Sequence, residues 1–291
     1  MRVRGNGQTG AKAPAIRRAT AARPLRIATW NINSVRLRHP LLKDLVQALE
    51  PDVLCLQETK CPDELFPEAE IRALGFAHIA RRGMKGYNGV AILSRLPFEE
   101  RAGDPDWCAK GDCRHLGVTL DAPGLGPIEL HDFYVPAGGD VPDREANPKF
   151  AHKLDFVAEA TAWAAGRDPA TRAVMMGDLN IAPLEHDVWS HRQLLDVVSH
   201  TPVEVAALTG WQEAGAWHDA VRHFVPDDQK LYTWWSYRAR DWEATDRGRR
   251  LDHVWVSQDL AGKLARHAVL KSARSWPQAS DHVPVMVEIA P

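Results

Sequence analysis

The chain has 291 residues, of which 45% are apolar and 25% charged, an ordinary balance for a globular protein with a sizeable core. It holds no apolar run of about 18 residues, which excludes a membrane-spanning helix, and no apolar centre of a secretory signal, so a cytoplasmic protein is expected. The formal net charge of −2 conceals an asymmetry: ten of the 36 Lys/Arg fall within residues 1–43, where there is no acid, leaving 26 bases against 38 acids in the rest. An acidic body binds nucleic acid poorly through bulk charge, so a phosphate substrate has to be met by metal ions or local arginines.

Residues 1–24 are basic, rich in Ala and Gly and without apolar periodicity, and read as a disordered tail. Residues 25–291 read as one catalytic domain. The four cysteines (Cys55, Cys61, Cys108, Cys113) show no CxxC spacing and are expected as unpaired thiols, with Cys55 in the core.

From Leu25 the pattern becomes dense. Leu25–Trp30 alternates as a strand, with Trp30 in the core, and runs into Asn31 and Asn33. Asparagine is a poor strand residue, so two at a strand end serve a turn or a site. Leu41, Leu42, Leu45, Val46 and Leu49 share one face of a helix that stops before Pro51. Residues 52–56 read as a buried strand presenting Glu58 just beyond its end, where a carboxylate escapes the penalty of an apolar interior. Strands are expected over 75–79, 89–93, 115–121 and 127–133, the last closing on Tyr134-Val135-Pro136. The loop 81–88, with Arg81, Arg82, Gly83, Lys85 and Gly86, suits close approach to phosphate.

A helix is predicted over about 150–165, then a strand over 172–176 that delivers Asp178 and Asn180. Short helices follow within 184–223. The stretch 231–256 is unlike a core strand: Tyr232, Trp234 and Trp235, then an arginine-rich loop to Arg249 and Arg250, then Leu251 and Asp252. Rings beside guanidinium groups grip an exposed base or sugar and its phosphates. Trp235 is expected to pack in the core. Ser280-Asp281-His282 precedes a closing strand over 283–289.

At least five polar clusters therefore punctuate strand ends: Asn31/Asn33, Glu58, Tyr134, Asp178/Asn180, and Asp252 with Asp281 and His282. Two packed sheets of mixed or antiparallel strands, with helices outside, would bring these ends to one rim. Carboxylates and amides without clustered Cys or His favour Mg²⁺ or Mn²⁺ over zinc. A histidine beside an aspartate can donate to a phosphoryl oxygen, and an Asp/Asn pair can position a water, which together define metal-assisted phosphodiester hydrolysis. There is no G-x-S-x-G turn and no P-loop.

The ordered set TWNINS, LQETK, GYNGVAILSR, YVP, GDLN, YTWWSY, RRLDHV and SDHVP resembles the exonuclease III type of apurinic/apyrimidinic (AP) endonuclease, within the endonuclease/exonuclease/phosphatase superfamily, over about residues 25–290. The resemblance implies an α/β four-layer sandwich of two mixed β-sheets flanked by helices, as in deoxyribonuclease I. It implies Mg²⁺-dependent hydrolysis, with Mn²⁺ as a substitute, 5′ to abasic sites in double-stranded DNA, 3′→5′ exonuclease and 3′-end processing, and a monomer. By matching positions, Glu58 is implied as the principal Mg²⁺ ligand, with Asn33 and Asp281 beside it and Asp178, Asn180 and His282 within the metal region. Asp178, aided by Asn180 and held by Asn31, would activate the attacking water. His282, paired with Asp252, and Tyr134 would contact the scissile phosphate. Trp234 and Leu251 would wall the abasic-sugar pocket, and Asn31, Arg249 and Arg250 would meet DNA.

Two positions depart from the pattern. Ala137 stands where an amide side chain is usual, and Arg249 where some relatives carry an aromatic. These leave the balance between abasic cleavage and 3′-end trimming open. A superfamily phosphatase acting on a small phosphoester and a non-catalytic nucleic-acid-binding regulator also stay open at this level.

Overall fold

The structure, a computed structural model, describes residues 23–103 and 105–291. The tail expected over 1–24 therefore falls outside the described residues, except at its end, where Arg23 already pairs with Asp52. Strand β2 (Val53–Gln57) is buried along its whole length, as its unbroken apolar run requires. It pairs in parallel with β1 (Leu25–Asn31) at the centre of a six-stranded sheet. That sheet continues through β14 (Val285–Ile289) and β13 (Leu264–Val269) on one side, and through β4 (Val90–Ser94) and β3 (His78–Arg82) on the other, all antiparallel.

The second six-stranded sheet runs β5 (Phe98–Glu100), β6 (His115–Ala122), β7 (Gly126–Tyr134), β8 (Ala173–Asp178), β12 (Asp252–Val256), β9 (His218–Asp219). Only β7 and β8 are parallel in it. Both sheets are thus mixed. A two-residue ribbon, β10 (Trp234–Trp235) with β11 (Gly248–Arg249), stands apart.

Ile27, Val53, Cys55 and Ile92 of the first sheet meet Val118, Leu130, Val174 and Val254 of the second in one apolar layer. The helix Leu42–Leu49 covers the outer face of the first sheet. Helices Pro148–Ala165 and Pro202–Ala214 cover the second through Phe156, Val157, Leu208 and Trp211. These are the four layers expected. Local signals start both long helices: the Asn147 side chain accepts from the Lys149 amide ahead of Pro148, and Thr201 and Glu204 form a capping box. The strand expected from residue 75 begins only at His78, because Gly75, at φ +94°, turns the chain out of the helix Glu68–Ala73. No helix among the described residues is long and apolar enough to cross a membrane.

Strand register brings the polar clusters to one rim. Asn31 lies opposite Gln57, Tyr134 opposite Asp178, and Asp252 opposite Asp178 from the other side. Trp234 bridges to His282. Gly177 makes the approach of β7 to β8 possible, since a Cβ there would sit 1.9 Å from the Phe133 carbonyl oxygen.

Candidate active site

The amide of Asn31 is the hinge of the rim. Its Nδ2 donates to Glu58 Oε1 at 2.9 Å and to Asp178 Oδ2 at 2.8 Å, joining the two sheets through one neutral group between two carboxylates. Its Oδ1 accepts from the Asn33 amide at 3.1 Å. Asn33, Glu58, Lys60 and Asn180 all hold left-handed backbone (φ 49°, 52°, 50° and 53°) just beyond the strand ends.

On the Glu58 side, Lys60 Nζ lies 2.7 Å from Glu58 Oε2 and 2.7 Å from Asn33 Oδ1, while Asn33 Nδ2 donates to Asp281 Oδ1 at 3.1 Å. Asp281 Oδ2 accepts from the Trp234 indole at 2.9 Å. Burial pushes the Glu58 carboxyl up, but Lys60 and the Asn31 amide outweigh it and hold it below the usual carboxylate range. Tyr134 donates its phenol to Glu58 Oε1 at 2.9 Å, and burial, with the Glu58 and Asp178 charges, keeps that phenol protonated far into alkali.

On the Asp178 side, His282 Nδ1 meets Asp252 Oδ2 at 2.8 Å and its Nε2 lies 3.6 Å from Asp178 Oδ2. Burial disfavours the imidazolium, yet Asp252 and Asp178 outweigh it and raise its pKa to about 10. Burial raises Asp178 to about 7 against the pull of His282 and Asn31. Asn180 donates to Asp178 Oδ2 from Nδ2 at 3.1 Å and to Oδ1 from its main chain at 2.9 Å. Ligand atoms of Asp178, Asp252 and His282 fall within 4.8 Å of one another, an arrangement that can hold a metal ion. Asp252 engages His282 Nδ1, so Nε2, facing Asp178, is the ring atom available to an ion or to a phosphoryl oxygen. Hard oxygen donors around a second cationic position, now met by the Lys60 ammonium, lie at Glu58 and Asn33 with Asp281 alongside. That donor chemistry fits a Mg²⁺-like ion.

The cleft beside these residues is lined by Trp189, Trp234, Arg249 and Leu251, and also by Ala137. Arg249 stacks over the Trp234 ring at 5.3 Å and donates to Ser199 Oγ and the Val198 carbonyl. Arg250 is not a DNA contact. It is 2% exposed and ion-paired to Asp187 and Asp219, because successive residues of an extended chain point to opposite sides and only Arg249 faces the cleft. Within the cationic stretch 81–88, Arg81 belongs to β3 and is paired with Glu68. Trp30 and Trp235 are core, as expected, but the Trp30 indole also donates to the His282 carbonyl. Sequence reasoning missed that bond and the part of Lys60; only the position of Lys60, two residues beyond Glu58, signals it.

Comparison with known proteins now adds an independent finding. The sequence model of the endonuclease/exonuclease/phosphatase family matches residues 28–282. The chain belongs to that family. This family member is similar to exodeoxyribonuclease III of Haemophilus influenzae, 29% identical over 91% of the chain and 99% of the relative. Its fold is similar to an AP endonuclease from Archaeoglobus fulgidus, with a TM-score of 0.81, 29% identity and coverage of 91% and 99% of the two chains. It is also similar to a 3′ phosphatase from Neisseria bound to a product DNA hairpin, with a TM-score of 0.83, 29% identity and coverage of 92% and 100%.

Proposed function

We propose that the chain is a DNA repair nuclease, monomeric and cytoplasmic, that hydrolyses the phosphodiester 5′ to abasic sites in double-stranded DNA with Mg²⁺ and also processes 3′ ends. The observation that carries this reading is the Asn31 amide, which sets Glu58 and Asp178 side by side with the Asp252–His282 pair 3.6 Å beyond. Mn²⁺ is the expected substitute ion. Bound by Glu58, with Asn33 and Asp281 alongside, the ion supplies Lewis-acid neutralisation of charge at the phosphate.

The protein residues do the rest. Asp178 takes the proton of the attacking water, oriented by the Asn180 and Asn31 amides that hold its carboxylate. His282 keeps its proton and donates from Nε2 to a phosphoryl oxygen, while Asp252 on Nδ1 fixes the ring and stabilises its charge. Tyr134 presents its phenol next to the same phosphate. Trp234 and Leu251 wall a hollow for a sugar without its base, and Arg249 faces it with a charge that meets the DNA backbone.

The test is a labelled duplex with one abasic-site analogue, run with Mg²⁺ or EDTA, beside a recessed 3′ end and with His282→Ala as control. Incision 5′ of the lesion that needs Mg²⁺ and fails in the variant is expected. Binding without cutting either duplex would favour a regulator. Neither binding nor cutting would point to a phosphatase.

A further inference from the structure

Beneath the cleft lies a charged cluster with no part in that chemistry. Lys153, on the helix Pro148–Ala165, and Glu204, in the first turn of the helix Pro202–Ala214, are ion-paired and both 0% exposed. An ammonium has three hydrogens, and Lys153 has three acceptors. They are the Glu204 carboxylate, the Asn180 carbonyl at 2.8 Å and the Ala137 carbonyl at 3.3 Å. The carboxylate in turn accepts from the Ser199 amide at 2.9 Å to each oxygen, and from the Thr201 hydroxyl at 2.7 Å. Ser199 Oγ, with the Val198 carbonyl, accepts from Arg249. The lysine stem matters as well. A Cβ on Gly138, at φ +88°, would lie 2.9 Å from Lys153 Cδ and 3.0 Å from Val198 Cγ1, so the loop after Tyr134 is seated directly on that stem.

A buried ion pair is a weak device for stability, since apolar residues of similar volume often serve as well or better. Apolar residues cannot supply directed donors to two main-chain carbonyls on two different loops. We propose that Lys153 and Glu204 are positioning residues of the cleft. The buried ammonium sets the loop after Tyr134 and the turn carrying Asn180 relative to one another, and its carboxylate partner sets the Val198–Ser199 support of Arg249. The kinetic consequence rests on the nuclease reading; the structural consequence does not.

The test uses the full chain with Lys153→Met and Glu204→Gln together. The pair of substitutions leaves no lone buried charge, and the glutamine keeps an acceptor for the Thr201 capping box. With Mg²⁺ and the abasic duplex, kcat is expected to fall about 10- to 100-fold while KM stays within about threefold, because misplaced groups cost the transition state more than binding. Amide exchange over residues 137–140, 178–180 and 197–199 is expected to speed at least about tenfold, with the two sheets unchanged. Unchanged exchange in those segments overturns the proposal whether or not the protein cuts DNA. So does an unchanged kcat in an active enzyme. A wild type that cuts no DNA sinks the nuclease reading alone and leaves exchange to decide this one. Should the double variant fail to fold, Lys153→Met with Glu204→Met, which also leaves no lone buried charge, is read by the same exchange segments.

Discussion

The indole Nε1 of Trp30 donates to the main-chain carbonyl of His282 at 3.0 Å, so the core of the first strand grips the histidine 252 positions further along the chain. Trp30 is fully buried and stands edge-on to Trp276. Phenylalanine would keep the ring and lose the donor, leaving a buried carbonyl short of a partner at a cost of about 1–3 kcal/mol. Trp30→Phe is expected to lower the melting temperature and to cut kcat about tenfold with KM nearly constant, as His282 loosens. A variant that melts lower but turns over at the parental rate would reduce Trp30 to packing.

The proton on His282 should be visible in stability. Its folded pKa, about 10, lies above the free imidazole value of 6.5 despite burial, through Asp252 and Asp178. The stabilisation is therefore complete below about pH 6.5 and is lost as pH rises from there through about 10. In Asp252→Asn the imidazole pKa should fall by more than one unit, and this part of the pH dependence should flatten. Imidazole NMR titration and melts of metal-free protein measure both. An unmoved His282 resonance would contradict the pairing.

Two adjacent arginines should behave in opposite ways. Arg250→Met strips a partner from buried Asp187, which keeps Arg222, and from partly buried Asp219, and a loss of about 3 kcal/mol is expected with little change in the salt dependence of DNA binding. Arg249→Met should melt close to the parent yet lower the salt slope of DNA affinity by about one. Denaturant melts and binding at several salt concentrations separate the two. An unchanged slope for Arg249→Met would remove it from the DNA interface.

Glu58 carries the metal reading. Glu58→Gln preserves size and an acceptor for Tyr134 but removes the charge. Half-activating Mg²⁺ should rise at least about tenfold, and Mn²⁺ binding followed by electron paramagnetic resonance without DNA should weaken in parallel. If both titrations match the parent, the ion sits elsewhere, and the Asp178–Asp252–His282 group becomes the next place to look.

Features written into a few consecutive residues were legible in the sequence. An amide or carboxylate ending an apolar run marks a strand terminus, and Asn31, Glu58 and Asp178 meet because three such termini share a rim. The same runs pointed to two packed sheets, mixed or antiparallel, with helices outside; that both are mixed was implied by the family resemblance. What was not legible depends on segments meeting from far apart. Nothing in Lys153 or Glu204, 51 positions apart, announces a shared buried site. A core tryptophan carries no mark saying which carbonyl its indole will find. Arg250 was misplaced for a local reason, because charge and neighbourhood outweighed the alternation of an extended chain.

The left-handed backbone at the rim has a practical consequence for protein engineering. Asn33, Glu58, Lys60 and Asn180 hold conformations that glycine adopts freely and that cost other residues up to about 1–3 kcal/mol each, asparagine least. Glycine at residue 58 would relax the main chain while deleting the carboxylate. Heat tolerance and reactivity therefore pull in opposite directions at these positions. A library screened only for survival at high temperature would enrich glycine there and yield sturdier, inert proteins.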